Sequence, residues 1–82
     1  MQVIDHVSLV DIKDKKILLC RSKGKTQWQL PGGKRETDET DEQTLIRECN
    51  EELGITINPQ TIKFYDQIER QDPLSRQIQL LI

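Results

Sequence analysis

Residues 40–54, TDEQTLIRECNEELG, carry signals for both ends of one helix, and the rest of the chain has to be arranged around it. Thr40 with Gln43 three residues later has the spacing of a capping box. Asp41 and Glu42 suit the positive end of the helix dipole, and Gly54 supplies the stop. At about 100° per residue, Leu45, Ile46, Cys49 and Leu53 share one face. Glu48, Glu51 and Glu52 cover a neighbouring arc, flanked by Arg47, with the small Thr44 one turn below Glu48. One side packs and the other is acidic.

Strand patterns lie on both sides of this helix. Residues 3–12 are rich in β-branched side chains, Lys13-Asp14-Lys15 is a polar break, and residues 16–20 resume the pattern, which predicts a hairpin. Residues 22–25 signal a second turn before the short segment 27–30, and Pro31-Gly32-Gly33 predicts a sharp turn of the chain. Beyond the helix, Asn58-Pro59 marks a loop, residues 62–69 a strand, Asp72-Pro73 a turn and residues 77–82 another strand. The order of strands, helix, strands is an α+β layout. With no repeat, low-complexity stretch or linker, residues 1–82 form a single domain. A hydrophobic content of 34% and one each of Trp, Tyr and Phe give it a thin core.

The 12 basic and 14 acidic residues nearly cancel to a net charge of -2, so no whole-protein field points to nucleic acid or membrane. Any electrostatic function is local. Cys20 and Cys49 have no spacing that suggests a disulfide framework or a zinc site, and reduced thiols are expected. The first ten residues lack a basic region followed by a long apolar segment. The longest apolar runs are as short as ILLC and LLI. A soluble, cytoplasmic protein is the expectation.

Carboxylates three and four apart on a helix repel by about 0.2–0.5 kcal/mol per pair, and near its C-terminus they also meet the negative end of the dipole. Glu48, Glu51 and Glu52 are either a solvated face or a cation site. Mg²⁺, which prefers carboxylate, water and phosphate oxygens, would turn the mutual repulsion into shared attraction.

The spacing that starts at Gly33 resembles the signature of the Nudix hydrolase family. That signature is Gly, five residues, Glu, seven residues, Arg-Glu, an apolar residue, any residue, Glu-Glu, any residue, Gly and an apolar residue. Gly33, Glu39, Arg47, Glu48, Cys49, Glu51, Glu52, Gly54 and Ile55 fall into it without a gap. Trp28, Leu30, Pro31-Gly32-Gly33-Lys34 and Glu36 look like the family's approach to this box. Thr37-Asp38 stands where Pro-Gly is frequent, Thr44 where Ala is common, and Cys49 where a larger aliphatic residue is usual. No charged position is lost.

The resemblance implies a loop-helix-loop that holds Mg²⁺ or Mn²⁺ against the diphosphate of a nucleoside diphosphate linked to another moiety, with water attacking phosphorus. Carried over, Glu48, Glu51 and Glu52 match the metal-binding acids. Gly33 matches the glycine whose carbonyl joins the ligands, Arg47 the residue that orients a neighbouring carboxylate, and Glu39 an auxiliary acid. Gly33 also reads as a turn glycine, Arg47 as a surface ion-pair partner, Lys34 and Arg35 as a solvated turn, and Trp28 as a core or turn-packing aromatic. His6 receives no role.

The implied fold is an α/β/α sandwich with a mixed sheet, of which these residues match the N-terminal half. The remaining strands, the second helix and much of the substrate pocket lie in the other half. An open sheet edge is expected at residues 77–82, where it invites self-association. Two functions follow: a metal-dependent pyrophosphohydrolase, or a non-catalytic Nudix-like module (or inactive fragment) that binds a nucleotide or partner. An acidic-helix scaffold without ligand is a third. The box handles metal and diphosphate and leaves the attached group open, and a small nucleotide is favoured over nucleic acid.

Overall fold

The computed structural model describes residues 5–69 and 76–82. Six strands and one α-helix follow in chain order: β1 Asp5–Val10, β2 Ile12–Lys13, β3 Lys16–Ile17, β4 Gly32–Lys34, α1 Asp41–Leu53, β5 Lys63–Glu69 and β6 Arg76–Leu81. A 3₁₀ turn, Pro59–Thr61, capped by Asn58, occupies the predicted Asn58-Pro59 loop.

The hairpin forms where the polar break predicts it. Asp14 and Lys15 both take positive φ, 52° and 63°, as a two-residue type I′ turn requires, and Lys13 pairs with Lys16 across it. The strands it joins are short. Beyond Ile17 the Leu18 N–H still donates to the Asp11 carbonyl at 2.9 Å, and Cys20 forms a separate bridge with Gln29, with N–H···O distances of 2.8 and 2.9 Å.

The principal sheet has the order β4-β1-β6-β5. β1 runs antiparallel to β4 and parallel to β6, and β5 runs antiparallel to β6, so the sheet is mixed as expected. Two expectations fail here. Pro31-Gly32-Gly33 is not a sharp turn, because Gly32–Lys34 pairs with β1 as a strand. Residues 77–82 are not an edge either, because β6 is hydrogen-bonded on both sides and the outer strands are β4 and β5. The physical reason is burial: with β6 inside the sheet, Ile78 and Leu80 stand beside Val7 and Leu9 under the helix. The Asp72-Pro73 turn lies outside the described residues.

The helix begins and ends as its capping residues dictate. The Thr40 hydroxyl accepts from the Gln43 N–H at 3.1 Å, and the Gln43 side chain accepts from the Thr40 N–H at 2.9 Å. Gly54 takes φ 66° and donates to the Asn50 carbonyl. Leu45 and Cys49 are fully buried against Val7, Leu9, Ile57, Ile78 and Leu80, with Ile46 packed at the margin. Of the two readings of Trp28, core is excluded and turn packing remains: it is 59% exposed, with the Arg21 guanidinium, at the other end of the loop, 4.7 Å from its ring centre. Among the described residues, no helix is long and apolar enough to cross a membrane.

Candidate active site

The site lies where β4, the loop after it and the last turns of α1 meet, and Arg47 sits at its centre. Its Nε and Nη2 donate to the two Glu39 oxygens at 2.9 and 3.0 Å. Nη2 also donates to the Lys34 carbonyl at 2.9 Å, and Nη1 to Glu48 Oε1 at 3.0 Å. Glu51 and Glu36 stand 3.6 and 3.7 Å from Nη1. One planar fork thus ties strand, loop and helix together.

Glu39 answers this geometry. Arg47, with the backbone N–H of Glu36 and the Thr44 hydroxyl, holds its carboxyl well below the ordinary 4.5, at about 2, against the opposing effect of burial. Arg47 in turn is held above its usual value, chiefly by Glu39. Glu39 is therefore an anion at any physiological pH.

Glu48 points back at β4. A Cβ on Gly33 would lie 2.3–2.6 Å from the Glu48 carboxyl atoms, so the missing side chain at residue 33 is the space in which Glu48 sits. Glu52, one turn on, accepts from the Cys20 thiol at 3.4 Å and the Gly32 N–H at 3.5 Å. Burial raises the Glu52 pKa, the Cys20 and Gly32 bonds oppose that, and the adjacent Glu48 carboxyl raises it further. Glu51 is exposed.

Two of the signature's departures have a physical account. Asp38, in the place where Gly is frequent, takes φ 67°, a left-handed conformation that Asp tolerates better than most residues. Thr44 is fully buried, and its hydroxyl lies 3.1 Å from both Glu39 Oε1 and the Thr40 carbonyl. Its single proton serves one acceptor at a time. Cys49 is buried in the core, where lost hydration pushes its thiol up to about 11.

A family model described as "NUDIX domain" matches residues 3–78. The chain belongs to the Nudix family. A CTP pyrophosphohydrolase of Escherichia coli (strain K12) is 41% identical over 59 residues, covering 67% of this chain and 44% of that protein. An 8-oxo-dGTP diphosphatase of Proteus vulgaris is 51% identical over 35 residues, covering 43% of this chain and 31% of that protein. The crystal structure of a MutT/nudix family protein from Enterococcus faecalis superposes with a TM-score of 0.80 at 26% identity, over 99% of this chain and 36% of that one. The chain thus spans less than half the length of these relatives.

In this Nudix chain the signature residues Gly33, Glu39, Arg47, Glu48 and Glu52 come together around β4, and Glu51 stands at the rim. Among the described residues, no three His, Cys, Asp or Glu side chains converge closely enough to hold an ion as they are placed. Glu48 is hydrogen-bonded to Arg47, and Glu52 to Cys20 and Gly32.

Three participants were not legible beforehand. Arg35, read as a solvated turn residue, instead donates to Asp5 Oδ2 at 3.0 Å, to the Glu39 carbonyl at 2.9 Å and to Asp41, fastening the loop to β1 and to the start of α1. The Lys34 carbonyl and the Cys20 thiol join the site through contacts 13 and 32 residues apart. No local spacing in the sequence marks either.

Proposed function

We propose that this chain supplies the metal and diphosphate site of a pyrophosphohydrolase acting on a nucleoside diphosphate linked to another moiety. The observation that carries the reading is the Arg47 fork, which binds Glu39 and the Lys34 carbonyl while holding Glu48 in the space left by Gly33. A solvated acidic face has no need of that arrangement.

By ligand type the donor set suits Mg²⁺ or Mn²⁺. Glu48 and Glu52 present hard oxygens on one helix face, and Gly33 leaves room for a carboxylate against its backbone. Glu48, Glu51, Glu52 and the Gly33 carbonyl would hold the ion. When bound, it neutralises diphosphate charge and lowers the pKa of water for attack on phosphorus. Arg47, always protonated, orients Glu48 and Glu39 and cannot act as a base. Glu39 keeps Arg47 in place.

The names of the relatives put nucleoside triphosphates, CTP and 8-oxo-dGTP, first among substrates to try. A cytoplasmic, small-nucleotide role goes with this reading, and self-association through an outer strand of the sheet, β5, is proposed beside it. The test is product release from a panel of nucleoside di- and triphosphate derivatives, with Mg²⁺ and with EDTA, for the wild-type chain and for Glu51→Gln/Glu52→Gln. Metal-dependent release that the substitutions abolish is the expected result. A folded chain that binds Mg²⁺ and releases nothing from any member of the panel would favour a non-catalytic nucleotide-binding module.

A further inference from the structure

We infer that Cys20 is a positioning residue for Glu52, acting through its thiol proton. The inference rests on the reading of Glu52 as a metal-binding acid.

Cys20 is fixed before it meets Glu52. Both its backbone N–H and its carbonyl are engaged with Gln29, at 2.8 and 2.9 Å, which makes it the anchored end of the loop over residues 21–28. Opposed residues of an antiparallel bridge share a face and their neighbours take the other. Cys20 is therefore turned to α1, whereas Arg21 and Trp28 stack on each other across the next position. From that anchored position the thiol reaches Glu52 Oε2 at 3.4 Å.

The oxygen it reaches has a second donor. The Gly32 N–H lies 3.5 Å from the same Oε2, so two separate stretches of chain, the Cys20–Gln29 bridge and β4, converge on one oxygen of one carboxylate. Long contacts are weak individually, and two on one atom restrict its direction more than its energy. Glu52 has Glu48 one turn before it on the helix, and two carboxylates on adjacent turns repel. The thiol and the amide keep Glu52 beside β4, where Glu48 and Gly33 also lie. A thiol supplies the one donor that the contact uses.

The experiment is Mn²⁺ titration of the full chain followed by electron paramagnetic resonance, which reads metal binding without turnover. It compares wild type, Cys20→Ser, Cys20→Ala, Cys20→Val and Glu52→Gln, with melting curves to check the fold. Serine keeps a donor, alanine removes it, and valine removes it while filling the space. Loss of the donor is expected to weaken Mn²⁺ binding by about threefold to tenfold in the alanine and valine variants. Serine should stay within about twofold of wild type, as rescue by a conservative donor requires. Equal weakening in all three Cys20 variants assigns the residue to packing and overturns the inference, and so does wild-type affinity in alanine and valine while Glu52→Gln binds weakly. Wild-type affinity in Glu52→Gln itself overturns both this inference and the metal role of Glu52.

Discussion

Arg47 and Glu39, eight residues apart, face each other through two hydrogen bonds, Nε to Oε2 at 2.9 Å and Nη2 to Oε1 at 3.0 Å. The second nitrogen also reaches the Lys34 carbonyl, and the third reaches Glu48. A side chain that could have been a surface ion-pair partner instead fixes the relation between loop and helix. Its planar fork is needed for that, because an ammonium cannot make parallel bonds to a carboxylate and a further bond to a carbonyl in the same plane.

Arg47→Lys and Arg47→Ala are therefore expected to lower metal-dependent kcat by similar factors, on the order of 10²-fold, through misplacement of Glu48. Steady-state kinetics on the first substrate found would check this. Lysine retaining activity within about twofold of wild type would show that charge, and not the fork, is what Arg47 contributes.

Acid should loosen this clamp in a defined window. The Glu39 carboxyl is held at about 2, below its ordinary 4.5, first by Arg47 and then by the Glu36 N–H. A depressed carboxyl stabilises the fold above its unfolded value and loses that contribution as pH falls through its folded one. Melting temperature should thus decline between about pH 4.5 and pH 2, and Glu39→Gln should show a shallower decline over that interval. Parallel declines for the two proteins would mean that other carboxylates account for the acid sensitivity.

The neighbouring glycines should separate stability from binding. At Gly32, with φ 146°, a Cβ would stand 2.0 Å from the Val7 carbonyl oxygen, a backbone atom that cannot yield without breaking the β1–β4 pairing. Gly32→Ala should destabilise the chain by more than about 2 kcal/mol. At Gly33 the obstructing atoms are the end of the Glu48 side chain. Gly33→Ala should keep the fold, displace Glu48 and weaken Mn²⁺ binding by about tenfold. Urea denaturation and metal titration of the two variants test the contrast, and similar behaviour of both would refute it.

Of the sheet's two outer strands, β4 and β5, the second has a register shift between Phe64 and Asp66, with Phe64 63% and Tyr65 52% exposed. Exposed apolar edge strands associate unless bulges or charges interrupt them. Sedimentation velocity over a hundredfold range of concentration should show reversible association, and Phe64→Lys should suppress it. A monomer across that range would indicate that the irregularity at Tyr65 already protects the edge.

What could be read from the sequence is what depends on short-range chemistry. Thr40, Gln43 and Gly54 mark the helix because a cap is satisfied within one turn of the chain. The spacing from Gly33 to Ile55 marks the family because those residues lie along one loop and one helix. The place of β6 was decided by tertiary structure: nothing in residues 77–82 shows that they pair in parallel with a strand begun at Asp5, and only burial of Ile78 and Leu80 beside Val7 and Leu9 puts them inside the sheet. Gly32 and Gly33 read as a turn because glycine permits one. The Val7 backbone and the Glu48 carboxylate use their missing side chains for close approach instead. Arg35 and Cys20 follow the same logic, since Asp5 and Glu52 lie 30 and 32 residues away from them and a contact at that separation exists only once the sheet has formed.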